Sequence, residues 1–234
     1  MINASPILVI AFAGLLHASF QLGVALLTLL SGHSLGSHRS FRKLMRLNFA
    51  YLFGASVVTV LLFTGLAYLA LLGSSSFMEL QWLVPALLNM VIGASVIMFY
   101  YRRSRGTGLW IPNAMAEYLS NRTKKTDHVG EAFTLGAGSV LAELPFLIGP
   151  LSVAVLYTLS IDGSDMQSIS VLIYCLIALS PLLIIVSLVG SGKKISKIQR
   201  WREDNKLFLQ YAAGSGLVIL GAFVFVDKFM GGSI

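Results

Sequence analysis

Six apolar runs, each close to the length of a transmembrane helix, dominate this sequence of 234 residues. Their bounds are about 7–31, 48–72, 80–101, 130–159, 168–188 and 207–225. A hydrocarbon core about 30 Å thick needs about 20 apolar residues per helix. Charged residues make up 12% of the chain, about half the share found in soluble domains. The sequence therefore predicts an all-α, polytopic membrane protein, with six transmembrane helices in a single domain over residues 1–234.

The basic residues predict how these helices are oriented. Of the 17 Lys and Arg residues, sixteen lie in the three connections 32–47, 102–129 and 189–206. With six spans, all three connections fall on one face of the membrane, which the positive-inside rule assigns to the cytoplasm. Both termini are then outside. Membrane orientation also accounts for the net charge of +7, so the expected partner is the lipid bilayer and not nucleic acid.

The connection 102–129 is predicted to be cytoplasmic and to contain a short interfacial helix. Four of its apolar side chains fall roughly on one side of such a helix, namely Trp110, Ile111, Met115 and Leu119. The first apolar run lacks the basic leader and short core of a signal peptide, so we interpret it as a retained first helix. The expected location is a cell membrane, with a prokaryotic cytoplasmic membrane as the first choice.

The fourth apolar run contains an acid beside two prolines. Glu143 is followed by Pro145 and Pro150 within the segment SVLAELPFLIGP. A carboxylate at membrane depth is costly and indicates a functional site by default. Proline removes a backbone donor, so the two prolines predict a broken helix whose freed backbone groups face a substrate. The alternative is a helix kink with a structural glutamate. A further kink is predicted at Pro181 in the fifth run.

The first apolar run provides a counterpart to Glu143. His17 and Gln21 lie one helical turn apart and share a face. An offset of 126 residues pairs His17 with Glu143 and Phe20 with Phe146. Three helices followed by three helices give halves of opposite orientation, the inverted repeat of many transporters. We therefore hypothesise that the first and fourth helices cross near the midplane with His17 facing Glu143. The alternative is that His17 is a hydrogen-bonded packing residue.

The layout and two segments resemble the lysine-exporter superfamily. The segments are GLLHASFQLGVALL at 14–27 and LAELPFLIGPLSVAVL at 141–156. That superfamily includes amino-acid exporters, metal-ion exporters and the thiol electron conduits of cytochrome c biogenesis. The resemblance implies a 3+3 helix arrangement and a transport function. The chain has Gln21 where the metal-ion branch places a second His or an acid. It also lacks the paired cysteines of the electron conduits, because Cys175 lies in the fifth run.

We therefore predict a secondary transporter, not an enzyme, that exports a small solute or cation through a site between the first and fourth helices. The predicted site residues are His17, Gln21, Glu143, Pro145 and Pro150. No cofactor is expected, and whether the site takes a metal ion is left open. The substrate, the direction of transport, the coupling ion and a homo-oligomeric state are also left open.

Two other functions remain open. One is a non-transporting membrane factor that assembles or stabilises a partner, for which the basic connections offer a binding surface. The other is an intramembrane Ser/His hydrolase built on Ser56 and His17, because a serine nucleophile needs a base within hydrogen-bond reach. His33 and His38, in a Gly- and Ser-rich connection, do not form a metal signature.

Overall fold

The computed structural model of the chain is all-α in the part that it describes. The described residues are 4–20, 24–27, 30, 41–73, 78–99, 118, 121–123, 125–191, 200–201 and 204–230. Helices are the only regular elements in these ranges: α1 Ala4–Ser19, α2 Phe41–Leu72, α3 Met78–Phe99, α4 Val129–Leu159, α5 Ser164–Ala178, α6 Ser180–Gly190, α7 Lys206–Phe225 and a π-helical turn Val226–Met230.

Four described helices are long and apolar enough to cross a membrane. They are Phe41–Leu72, Leu80–Met98, Val129–Leu159 and Leu207–Met230. The bent pair α5 and α6 makes a fifth when it is counted as one span. These helices confirm an all-α chain suited to a multi-pass membrane protein. The predicted interfacial helix falls mainly on residues outside the described ranges.

The first predicted helix ends much earlier than expected. α1 has 16 residues and ends at Ser19, whereas the apolar run continues to residue 31. Phe20 is not helical, and helical backbone is described again at 24–27. The Ser19 hydroxyl donates to the carbonyls of Leu15 at 3.2 Å and Leu16 at 2.7 Å. Serine that bonds to its own backbone in this way competes with helix continuation, so apolar length alone overestimated this helix.

The prediction that prolines break the fourth helix is wrong. α4 runs without interruption from Val129 to Leu159, with Pro145 and Pro150 inside it. In the apolar 18-residue stretch of α4, 72% of the residues are buried inside the bundle, against 17% in the corresponding stretch of α2. Neighbouring helices hold a proline-containing membrane helix in shape by packing around it. The kink predicted at Pro181 is confirmed, because α5 and α6 meet there at 57°.

Close glycine contacts hold the bundle together. α4 packs against α1, α2 and α3, and α3 packs along α7. Gly136 of α4 lies against the Tyr51 carbonyl of α2, so closely that a Cβ would overlap it. A Cβ on Gly93 of α3 would come within 2.6 Å of the Gly214 carbonyl of α7. Such small residues let backbones approach where lipid gives no hydrophobic drive for helix association.

Polar contacts at the helix ends show how α2, α3, α4 and α7 are oriented relative to one another. At one end, Lys43 pairs with Asp127 at 2.7 Å. At the same end, Gln210 of α7 donates to the Val96 carbonyl of α3 at 2.8 Å. At the other end, Gln81 of α3 donates to a carbonyl at the end of α2. The starts of α2, α4 and α7 therefore share one end of the bundle, and these are the helices that follow the three basic connections.

Candidate functional site

His17 and Glu143 line the same buried cavity. Their side chains are 5% and 6% exposed. The cavity measures about 20 Å³, enough for a single water molecule. The residues that surround it are His17, Ala18, Phe20, Val24, Ser139, Val140, Glu143, Ala178, Leu179, Pro181 and Leu182. Helices α1 and α4 and the α5–α6 bend thus enclose the two ionisable residues.

The cavity lies between two interruptions of helical backbone. One is the end of α1, at Ser19 and Phe20. The other is the bend between α5 and α6, at Leu179. Helix ends leave backbone groups without intrahelical partners, and discontinuous helices of this kind form ion and solute sites in transporters. The interruptions were predicted on α4, and the structure has them on the helices that face Glu143.

His17 is held by a buried tyrosine. Its Nδ1 lies 2.9 Å from the hydroxyl of Tyr174, which belongs to α5 and is completely buried. The two rings are tilted, with centroids 5.7 Å apart. The contact orients the imidazole, and the tautomer decides which group donates. A buried tyrosine hydroxyl usually has such a partner. Tyr174 lies inside an apolar run, and that position could have indicated in advance that it bonds to another polar side chain.

A buried tyrosine of α2 also lies near Glu143. Ser139 lies one turn before Glu143 on α4 and lines the same cavity. Tyr51 of α2 is completely buried, is hydrogen-bonded to Ser139 and interacts electrostatically with Glu143. Each ionisable residue of the cavity is therefore accompanied by one buried tyrosine from a neighbouring helix. Neither tyrosine was among the predicted site residues.

The two predicted prolines are not brought to the cavity. Pro145 is exposed on the surface of α4, and Pro150 is buried but absent from the cavity wall. Gln21 lies outside the described residues. His17 and Glu143 are thus the two predicted residues that the structure brings together.

The donor set and the serine geometry bear on the alternative functions. Among the described residues, no group of three or more His, Cys, Asp and Glu side chains is placed to hold a metal ion. Ser56 donates to the Leu52 carbonyl of its own helix at 2.8 Å. Ser139 shares the cavity with His17, but its hydroxyl donates to the Gly136 carbonyl at 2.7 Å. Neither hydroxyl is arranged as a nucleophile activated by His17.

Comparisons with other proteins found no relative of this chain. No family model, no curated protein and no solved structure matches the chain.

Proposed function

We propose that this chain is a secondary transporter that moves a small solute or cation across a cell membrane. The observation that carries the proposal is that His17 and Glu143 line one cavity beside two interrupted helices. Buried ionisable residues at membrane depth are characteristic of ion and proton pathways. In this proposal the basic connections are cytoplasmic, both termini are outside, and export is the direction of transport.

The proposed architecture has six spans in two inverted halves. The six are α1 with the helical residues 24–27, α2, α3, α4, the bent pair α5–α6, and α7. The packing pattern supports this division, because exchanging the halves maps most contacts onto one another. The exchange swaps α1 with α4, α2 with the pair α5–α6, and α3 with α7. The α2–α4 contact then becomes the α5–α1 contact, and α3–α4 becomes α7–α1. The α1–α4 and α3–α7 contacts are unchanged by the exchange.

The contacts of the two tyrosines support the same symmetry. Tyr174 approaches His17 from α5, and Tyr51 approaches Glu143 from α2. Glycines make parallel contacts at the same interfaces: a Cβ on Gly14 would meet the Tyr174 carbonyl at 3.2 Å, and one on Gly136 would meet the Tyr51 carbonyl. In the proposed inverted repeat these two sets of contacts correspond to each other, although the tyrosines are 123 and the glycines 122 positions apart, against 126 for His17 and Glu143.

Electrostatics favours a site whose charge changes during the cycle. Among the described residues, His17 and Glu143 are the ionisable side chains that line the cavity, with Tyr174 bonded to His17 and Tyr51 near Glu143. An isolated buried charge is costly, so two ionisable residues in one cavity favour states in which both are neutral or their charges balance. Uptake or loss of one proton or one cation changes that balance. The cavity has room for a single water, so a larger solute requires a state in which the end of α1 separates from the α5–α6 bend.

A flux assay with a matched pair of variants tests the proposal. The purified chain is placed in liposomes loaded with a pH-sensitive dye and is exposed to a panel of monovalent cations and small solutes. We expect at least one of these compounds to change the internal pH with the native chain. Glu143→Gln should abolish this change, whereas Glu131→Gln, at the first turn of the same helix, should preserve it. A native chain that moves none of the panel would favour the assembly factor, and an active Glu143→Gln variant would refute the proposed site.

A further inference from the structure

A second cluster of side chains lies at the opposite end of the bundle from the basic connections. It consists of Trp82 of α3, Tyr157 of α4, and Asp227 and Lys228 of the π-helical turn. We call it the ammonium cage. The Lys228 Nζ atom lies 4.5 Å from the centroid of the Trp82 ring and 4.9 Å from that of Tyr157. It also pairs with the Asp227 carboxylate at 2.9 Å.

The walls of the ammonium cage have the geometry of a cation receptor. The two rings meet edge to face, with centroids 5.2 Å apart and an interplanar angle of 81°. They therefore present two nearly perpendicular surfaces to the cation. The Tyr157 hydroxyl donates to Asp227 at 2.7 Å, which fixes the carboxylate as a third wall. Aromatic surfaces within about 6 Å of a cation attract it through the ring quadrupole, and such cages bind organic ammonium groups.

The chain's own ammonium group is held loosely in this receptor. The side chains of Lys228 and Asp227 are 29% and 37% exposed, and partly exposed ion pairs contribute little to stability. Lys228 belongs to the π-helical turn Val226–Met230. This conformation is rare in proteins, and where it occurs it often marks a functional site. A competing cation can therefore replace Lys228 without disrupting a buried element.

We propose that the ammonium cage is a binding site for organic ammonium cations and that Lys228 is its intramolecular competitor. The ligand chemistry is a primary or quaternary ammonium, carried by a soluble amine or by a lipid headgroup. Asp227 disfavours anions, and the two aromatic walls favour a large, weakly hydrated cation over a small metal ion. The proposal is independent of transport through the His17–Glu143 cavity.

Fluorescence of Trp82 tests the proposal. The chain has three tryptophans, so Trp110→Phe and Trp201→Phe leave Trp82 as the sole reporter. In phosphatidylglycerol nanodiscs, choline should cause a saturable change of Trp82 emission. Lys228→Ala should lower the half-saturating concentration about tenfold or more, because the tethered competitor is gone. Adding Asp227→Asn should raise it again, and 3,3-dimethylbutan-1-ol, the neutral isostere of choline, should have no saturable effect.

A labelling experiment gives a readout on the native chain. Acetylation of Lys228 by an amine-reactive ester, measured by mass spectrometry, should accelerate several-fold when choline displaces the ammonium. Lys125, outside the cage, should react at an unchanged rate. Acceleration in phosphatidylcholine nanodiscs without free choline would assign the ligand to a lipid headgroup, and acceleration with added choline alone would assign it to a soluble amine. If Lys228 acetylation does not accelerate and Trp82 emission does not respond in any condition, the proposal is overturned.

Discussion

Phe20 and Phe146, 126 positions apart in the chain, stack on each other with ring centroids 5.3 Å apart and planes 16° from parallel. His17 and Glu143 have the same separation in sequence and line one cavity beside this stack. Two pairs of residues at one offset thus lie where the end of α1 packs against α4. In the proposed inverted repeat, these two pairs lie near the two-fold axis that relates the halves.

The Phe20–Phe146 stack should contribute a measurable coupling energy. A double-mutant cycle with Phe20→Ala and Phe146→Ala should give about 0.5–1.5 kcal/mol in the free energy of unfolding. The measurement is denaturant unfolding in mixed micelles. A control cycle pairs Phe20→Ala with Phe223→Ala, on an exposed position of α7, and should be additive within about 0.5 kcal/mol. Additivity in both cycles would show that the stack is geometrically close but energetically irrelevant.

Removing the Tyr174 hydroxyl should free the imidazole of His17. Tyr174→Phe deletes the partner of Nδ1 and leaves a buried polar atom, at a cost of about 1–3 kcal/mol in the free energy of unfolding. Nitrogen NMR of His17 should also show an altered tautomer distribution. Tyr68→Phe is the matched control, because Tyr68 is 64% exposed and should change stability by less than about 0.5 kcal/mol. An unchanged His17 spectrum would contradict the positioning role of Tyr174.

The α2–α4 interface should be intolerant of a single methyl group. Gly136→Ala places a Cβ against the Tyr51 carbonyl, so the helices must separate, with a loss of about 1–3 kcal/mol in the free energy of unfolding. Gly65→Ala is the control, since a Cβ there meets nothing within 4 Å. It should be neutral or stabilising by up to about 1 kcal/mol, because alanine favours helix. Equal effects of the two substitutions would contradict this contact.

The proposed topology can be tested with single cysteines. Cys175 is the one cysteine of the chain, so Cys175→Ala gives a background without thiols. In intact cells, a membrane-impermeant maleimide should label Asp162→Cys, between α4 and α5. It should leave Arg200→Cys, in the third basic connection, unlabelled until the membrane is opened. If Arg200→Cys alone is labelled in intact cells, the orientation is opposite to the proposed one. If both variants are labelled, the two connections do not lie on opposite faces.

The length of the apolar runs located the helices but not the points where they are interrupted. The expectation that Pro145 and Pro150 break the fourth helix came from the loss of two backbone donors. α4 stays continuous because α1, α2 and α3 pack around it. The first helix ends at Ser19 although its apolar run contains no proline. The effect of proline on an isolated helix can be read from the sequence, whereas the packing of neighbouring helices decides whether the helix continues through it.

The sequence by itself determined the apolar helices and the basic connections between them, and it identified His17 and Glu143 as candidates for one site. These follow from apolar length, charge distribution and chain offset, which need no coordinates. Only the tertiary structure decided that both residues share one cavity, that Tyr174 and Tyr51 accompany them, and that the interrupted helices are α1 and α5–α6. The reason is physical: burial of a polar side chain depends on partners from distant parts of the chain, and those partners become known when the helices pack.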